Sequence, residues 1–183
     1  MNKIPAIETA RLKLRPYNEA DIAELVPLIG TREVAATTLR IPHPYAREDA
    51  RQFLTTIDSG SLVRFAVTLR SDGCLIGGVG LNIEEQHEHA ELGYWLGVQY
   101  WGKGYATEAA RETLRYGFED LQLHRIFASH FKHNPASGRV LTKLGMRYEG
   151  CKREHIRKWD QFVDSELYGI LRREWEQGGE VRE

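Results

Sequence analysis

Gln99, Gly102 and Gly104 stand in the run Val98-Gln99-Tyr100-Trp101-Gly102-Lys103-Gly104-Tyr105-Ala106, and their types and spacing suit the capture of a phosphate. Glycine lets backbone N–H groups approach a ligand with no Cβ in the way. The unpaired N–H groups at a helix start, aided by the helix dipole, then favour an anion. Both flanking elements are legible. Ala90-Glu91-Leu92-Gly93-Tyr94-Trp95-Leu96 reads as an extended segment rich in aromatic and aliphatic residues. Ala106, Ala109, Ala110, Thr113, Leu114, Gly117, Phe118 and Leu121 recur at the spacing of one helical face. A strand, a glycine turn and a helix in this order read as a pyrophosphate cradle.

Two loop patterns compete for it. Gly97-x-x-x-x-Gly102-Lys103 meets all but the last position of G-x-x-x-x-G-K-[ST], but Gly104 cannot supply the hydroxyl that holds Mg²⁺. A nucleotide hydrolase would also need a strand aspartate, and no clear one stands in the sequence. The second pattern, Gln99-x-x-Gly102-x-Gly104, fits a Q/R-x-x-G-x-G/A loop at every fixed position. Downstream, Asn134-Pro135-Ala136-Ser137 precedes Val140, Leu141, Leu144, Gly145 and Met146. Asparagine at the N-cap, proline in the first turn and glycine past the end describe a short helix from its two ends.

These two segments resemble the acyl-CoA loop and the N-x-x-S/A…L-G-F/M segment of the GNAT superfamily of N-acetyltransferases, in the variant carried by RimJ/RimL-like members. The resemblance runs across nearly the whole chain. Residues 11–16 with Asp21 are similar to the first strand and helix of that family, and residues 90–96 to its central strand. Residues 164–171 are similar to its last strand, and 171–176 to the C-terminal segment of RimL-type sequences. The resemblance implies acetyl-CoA as co-substrate, no metal, and direct transfer to a primary amine in a ternary complex. The leading acceptor is a protein N-terminal α-amine, as on a ribosomal protein. A small amine (amino acid, polyamine or drug) is the alternative within the class, and a non-catalytic acyl-CoA sensor is the rival outside it. By resemblance, main-chain groups of Leu96, Gly97 and Val98 hold the pantetheine. Those of Gly102, Lys103, Gly104, Tyr105 and Ala106 wrap the pyrophosphate, with the Lys103 side chain outside the cradle. Asn134 contacts the pantetheine arm besides capping its helix.

Acetyl transfer from a thioester to an amine needs a neutral amine, an oriented carbonyl and support for the developing oxyanion. It needs no covalent enzyme intermediate, and no credible Ser-His-Asp or Cys-His set stands in the sequence. Ser137 matches the serine that RimL-like enzymes offer to the leaving thiolate; its plain structural reading is a first-turn helix serine. Many relatives carry a tyrosine seven residues after the asparagine. Here that position is Leu141, which leaves Ser137 as the only obvious acid in the motif. A thiol with a pKa of about 8.5 is helped by such an acid without requiring it near neutral pH.

Glu91, among apolar and aromatic strand residues, is the favoured general base, because desolvation would make it a better proton acceptor. Glu154 is its competitor. It lies two residues from Ile156, the position that matches a catalytic glutamate of RimL-type enzymes, on the same face of an expected strand. Its plain reading is a surface charge. His87 with His89, and His130 with His133, are short pairs that no cysteine or carboxylate completes into a convincing metal set. Tyr94, Trp95, Tyr100 and Trp101 lack a basic groove nearby, so core packing and cofactor contact outrank base stacking.

Several further elements must position these residues. A first strand at 11–17 leads to a helix at 20–29 capped by Asn18. Residues 31–45, with Pro42 and Pro44, read as irregular, and a helix follows at 47–57. Residues 64–69 and 75–81 form a predicted hairpin around Ser71-Asp72-Gly73. Further strands are expected at 125–131, 146–153 and 164–171. The fold class predicted is α+β, a GNAT-like mixed, largely antiparallel central sheet flanked by about four helices. One N-acetyltransferase domain is expected over residues 1–183, with a core of about 9–175.

Composition sets the outer bounds. At 42% hydrophobic and 28% charged residues the chain is of the ordinary globular class. A net charge of −1 supplies no broad pull toward nucleic acid or an anionic membrane, although arginine and lysine cluster at 139–143 and 152–158. Cys74 and Cys151 are too few for a disulfide framework and fit a reducing compartment. Residues 1–20 hold no apolar signal core, and no apolar run reaches the length of a membrane span. The expectation is a cytoplasmic enzyme, monomer or homodimer, with neither nucleic acid nor membrane as partner.

Overall fold

In the computed structural model, which describes residues 4–57 and 61–180, strands pair into one eight-stranded sheet in the order β1-β2-β3-β4-β5-β6-β8-β7. β1 (Ile7–Glu8) and β2 (Leu12–Arg15) form its edge hairpin. β3 (Leu62–Leu69) and β4 (Leu75–Glu84) form the next, turning where Gly73 adopts φ 77° and Asp72 Oδ1 accepts from the Cys74 N–H at 3.0 Å. β5 (His89–Leu96) runs antiparallel to β4. β6 (Arg125–Phe131) follows, and then the long hairpin of β7 (Arg147–Lys158) and β8 (Gln161–Leu171).

β5 and β6 are parallel, whereas the other strand pairs among the described residues are antiparallel. A parallel pair needs a crossover, here α4 (Tyr105–Arg115) with its π-helical last turn at Tyr116–Asp120. The parallel pairing covers His89↔Arg125, Ala90↔Ile126 and Glu91↔Phe127 and then ends. Beyond Glu91, β5 stays with β4, while β6 stays with β8 from Ala128↔Tyr168 to Phe131↔Ser165. The sheet therefore opens into a wedge in its middle.

Each face of the sheet has its own core. Leu92 of β5, Phe65 of β3 and Ile126 of β6 pack beneath α4 and α5 (Pro135–Lys143), with Leu114 and Leu141 fully buried. On the other face Ala66 and Leu75 meet α1 (Ile22–Ile29), α2 (Arg32–Thr37) and α3 (Arg47–Thr56) through Leu25, Val34 and Ala50. Asn18 caps the entry to α1, as expected, although the first turn, Glu19–Asp21, is a 3-10 helix. Its Oδ1 accepts from Ala20 at 2.9 Å, and its N–H donates to Asp21 Oδ2 at 2.8 Å.

The α+β class and the mixed, largely antiparallel sheet are as the sequence predicts. Four elements differ. Six helices, rather than about four, occur among the described residues, because α2 forms inside the segment expected to be irregular and α6 (Arg172–Glu180) follows β8. α2 is too short to show a period, and burial of Val34 and Ala35 holds it. α6 is anchored by Trp175 stacking on Phe118 at 5.8 Å. β7 and β8 also run well past their expected ends, as a mostly exposed ribbon whose tip carries no apolar alternation to read. No helix among the described residues is long and apolar enough to cross a membrane.

Candidate active site

A cleft of about 1030 Å³ follows the wedge between β5 and β6. That lies at the upper end of ordinary ligand pockets, roughly 300–1,000 Å³, and leaves room for more than one small molecule. Register decides which main-chain groups face it. The Gly97 N–H already bonds the Ile76 carbonyl at 2.9 Å. Alternation along the β4–β5 ladder then turns the groups of Gly93 and Trp95 toward β4, and those of Tyr94 and Leu96 toward the edge that β6 has left. The Leu96 carbonyl on that edge accepts from Trp101 Nε1 at 2.8 Å. This corrects the expected trio of Leu96, Gly97 and Val98. Leu96 lines the cleft, but the Gly97 N–H is spent inside the sheet, and Val98 opens a 3-10 turn with its side chain 38% exposed. The open main-chain groups are the N–H of Leu96 and, two residues earlier, those of Tyr94.

The glycine turn closes one end of the cleft. Gly102 and Gly104 adopt φ 74° and 81°, in the left-handed region that favours glycine. The first intrahelical bond of α4 runs from the Glu108 N–H to the Gly104 carbonyl at 3.1 Å. The N–H groups of Tyr105, Ala106 and Thr107 therefore have no intrahelical acceptor, and these residues line the cleft with Gly102 and Gly104. Lys103 does not line it, and its ammonium lies 5.8 Å from the Tyr100 ring centroid. Arg139 and Lys143 of α5 border the same region and add positive charge.

A brace behind the turn has no local sequence signal. Arg11 Nη1 donates to the Lys103 carbonyl at 3.0 Å, and Arg11 Nε meets Glu108 Oε2 at 2.7 Å. Glu108 Oε1 also accepts from Thr9 Oγ1 at 2.6 Å and from the Arg11 N–H at 2.8 Å. Burial pushes the Glu108 carboxyl upward, but the hydrogen bonds of Thr9 and Arg11 hold it below the usual range. The β1–β2 turn thus fixes the start of α4 from nearly a hundred residues away.

The sequence pattern of the acetyltransferase (GNAT) domain matches residues 11–147, from the start of β2 to the start of β7. The chain belongs to the GNAT acetyltransferase family. It is 37% identical over 131 residues to the uncharacterized N-acetyltransferase YnaD of Bacillus subtilis (strain 168), covering 72% of this chain and 77% of YnaD. It is 33% identical over 87 residues to the ribosomal protein uS5-alanine N-acetyltransferase of Escherichia coli (strain K12), covering 48% and 45%. A solved GNAT-family acetyltransferase from Bacillus anthracis shares the fold with a TM-score of 0.84 and 30% identity, over 92% of this chain and 99% of that one.

In this acetyltransferase Glu91 stands at the last position where β5 pairs with β6, where the wedge begins. Its carboxylate accepts from Asn82 Nδ2 at 3.3 Å and lies 3.5 Å from Ser129 Oγ and 3.6 Å from Arg40 Nη2. The side chain is 31% exposed. The apolar surroundings expected for Glu91 are thus corrected to polar ones. Strand alternation sends Glu91, Gly93 and Trp95 to the α1–α3 face, while the apolar Ala90 and Leu92 point into the opposite core. Glu154 is placed elsewhere. It is exposed at φ 48°, with its N–H donating to Asp164 Oδ1 at 2.9 Å, and Ile156 rather than Glu154 lines the cleft. The β7–β8 register shifts between Lys152 and Ile156, and that irregularity breaks the alternation that had put the two on one face.

Across β5 from Glu91 the structure brings together a pair of hydroxyls. Asn134 caps α5, accepting from the Ser137 N–H through Oδ1 at 3.4 Å and through its carbonyl at 3.1 Å, and it borders the cleft. Ser137 Oγ lies 2.7 Å from the Tyr94 hydroxyl. Burial pushes the Tyr94 phenol up to about 12, against the opposing effect of the Ser137 hydrogen bond, so it stays protonated at neutral pH. The sequence groups Tyr94 with Trp95 under core packing and cofactor contact, without separating the two. Period-two alternation could have separated them, since Tyr94 faces α5 and Trp95 faces α1. Leu141, where many relatives have tyrosine, is fully buried in the core.

On the α1–α3 side, Arg64 donates through Nη1 to the carbonyls of Val63 and Leu81, each at 2.9 Å, and through Nη2 to Asn82 Oδ1. Burial, and then the neighbouring Arg40, push its pKa downward. Tyr17, Tyr45, Phe53 and Trp95 complete this end as an aromatic wall. Among the described residues no group of three or more His, Cys, Asp or Glu is arranged to hold a metal ion.

Proposed function

We propose that the chain moves an acetyl group from acetyl-CoA to a primary α-amine, with a protein N-terminus as the leading acceptor. The observation that carries this reading is the placement of Glu91 and of the Tyr94–Ser137 pair on opposite faces of one strand, where β6 leaves it. Acetyl-CoA, when bound, supplies an activated acetyl thioester. The residues present fit it: the two left-handed glycines and the N–H groups of Tyr105, Ala106 and Thr107 suit the pyrophosphate. The open main-chain groups of Tyr94 and the N–H of Leu96 suit the amides of pantetheine, taken as an added strand, with Asn134 at the border.

Glu91 holds the proton that the acceptor must lose. An α-amine has a pKa of about 7.7–8.0 and is mostly protonated near neutral pH. The carboxylate takes this proton directly or through one water, with Asn82 and Ser129 fixing its orientation. On the other face Ser137 holds a proton where the leaving sulfur departs, and Tyr94 stands behind it as a second donor. The α-amine preference is supported by similarity to the uS5-alanine N-acetyltransferase, and we place the chain with RimJ/RimL-like members on the same ground.

Thiol release from acetyl-CoA with tetrapeptides as acceptors tests the reading. Glu91→Gln keeps the shape and removes the base, so turnover should fall by roughly 10²–10⁴-fold with acetyl-CoA binding unchanged. Glu154→Gln should stay near the parent rate. A large loss in Glu154→Gln with a near-parent Glu91→Gln would reverse the assignment.

A further inference from the structure

The α1–α3 side of the cleft, where Glu91 would meet the acceptor amine, also carries two guanidinium groups, which is unexpected where a cationic amine must enter. Arg40 and Arg64 both line it, close enough for Arg40 to act on the Arg64 guanidinium. The acids that line it are Glu91 and Asp49. Asp49 is committed elsewhere, since its Oδ2 accepts from the Ala46 N–H at 2.7 Å as the cap of α3. Beside Glu91, then, stand two guanidinium groups, while the Asp49 carboxylate is held at the start of α3.

The two arginines are held differently. Arg64 is fixed in the wall by the carbonyls of Val63 and Leu81 and by Asn82. Keeping a guanidinium half-withdrawn from water is costly unless an anion offsets it, and its planar fork suits a carboxylate. Arg40 is 68% exposed, and its Nη2 stands 3.6 Å from Glu91 Oε2, an ion pair without a hydrogen bond. Such a pair opens readily, because an exposed ion pair gains little over the solvated charges. Opened, it presents a negative pole and a positive pole side by side. A molecule carrying an ammonium and a carboxylate close together satisfies both at once. A polyamine would bring only further positive charge toward Arg40 and Arg64.

We infer that the acceptor is an aminocarboxylate: its α-amine meets Glu91 while a neighbouring carboxylate is read by Arg40 and Arg64. This rests on the acetyl-transfer reading of the cleft and narrows its substrate. The same chemistry has two sources, the acidic first residue of a peptide and a free amino acid such as glutamate.

The test compares tetrapeptides that differ only in their first residue (glutamate, glutamine, alanine or lysine), together with free L-glutamate. Turnover is read by thiol release, and binding of each acceptor to the CoA-loaded protein by calorimetry. The glutamate-first peptide should exceed its glutamine-first twin at least tenfold in kcat/KM, and added salt should shrink the margin. Arg40→Gln should bring that ratio close to one, and Arg40→Glu should turn the preference toward lysine. Because Arg40 is largely exposed, both variants should melt near the parent temperature. Turnover of free glutamate alone would assign the small-molecule source, and turnover of the peptide alone the N-terminal one. Equal rates for the glutamate and glutamine peptides, or a ratio that survives in Arg40→Gln, would overturn the inference while leaving α-amine acetylation intact. If no α-amine is acetylated, the transfer reading fails separately, and the calorimetric preference for glutamate over glutamine still decides the carboxylate site.

Discussion

Gly104→Ala separates the backbone strain of the glycine turn from the pyrophosphate binding proposed for it, with Gly73→Ala as the matched control. Gly104 sits at φ 81° before α4, and Gly73 at φ 77° in the β3–β4 turn, remote from the cleft. Forcing an alanine into the left-handed region costs about 1–2 kcal/mol at either position. A Cβ at Gly73 meets nothing within 4 Å, and one at Gly104 meets Arg11 Nη2 at 3.3 Å, a contact that asks the braced guanidinium to give by only about a few tenths of an ångström. The steric cost is therefore small in both. For a chain of this size about 2–4 °C is lost per kcal/mol, so each variant should melt roughly 2–8 °C lower. Affinity should distinguish them. Relief of strain at Gly104 displaces the N–H groups of Tyr105 and Ala106, and one hydrogen bond to a charged group is worth about 1.5–3 kcal/mol. Acetyl-CoA should bind Gly104→Ala roughly 10- to 100-fold more weakly by calorimetry, and Gly73→Ala as the parent does. Equal melting losses with parental affinity in Gly104→Ala would refute the placement of the pyrophosphate.

The hydroxyl pair and the brace make two further predictions. Tyr94→Phe should lower kcat while leaving acetyl-CoA affinity unchanged, and Ser137→Ala should lower turnover mainly at low pH, where the leaving sulfur most needs a proton. Because burial holds the Tyr94 phenol up to about 12, the parent pH–rate profile should show no fall in the ordinary tyrosine range of about 10; a Tyr94-dependent fall there would contradict the assigned environment. The Glu108 carboxyl is held below its unfolded value, so its stabilisation is present above about pH 4.3 and is lost as pH falls through the folded value. Glu108→Gln should therefore melt lower than the parent near neutral pH, and the gap should close on acidification. A gap that stays constant with pH would assign the brace to packing rather than to charge.

Local signals carried much of this protein. The glycines at 102 and 104, the Asn134-Pro135 helix start and the Asp72-Gly73 turn each encode a conformation that few other residues allow, so they read correctly without tertiary context. Strand β6 and the start of α3 were legible because one-sided burial imposes a period. Where burial is slight, as at the β7–β8 tip, or the element is a single short turn, as in α2, no such period exists to read.

The site itself depends on registers and distances between segments remote in sequence. The end of β5–β6 pairing at Glu91 is set by β6 following β8 instead, and this is what frees the main chain of Tyr94. One irregularity in the β7–β8 ladder decides that Ile156 lines the cleft and Glu154 does not. The contacts of Tyr94 with Ser137, of Arg11 with Lys103 and of Arg40 with Glu91 join residues far apart in sequence, the first two 43 and 92 positions apart. Residue type specifies what such a side chain can do, but its partner is chosen only when the sheet brings distant strands together. The sequence thus determined the glycine turn and the family, whereas the tertiary structure decided the polar surroundings of Glu91, the hydroxyl beside Ser137 and the arginines beside Glu91.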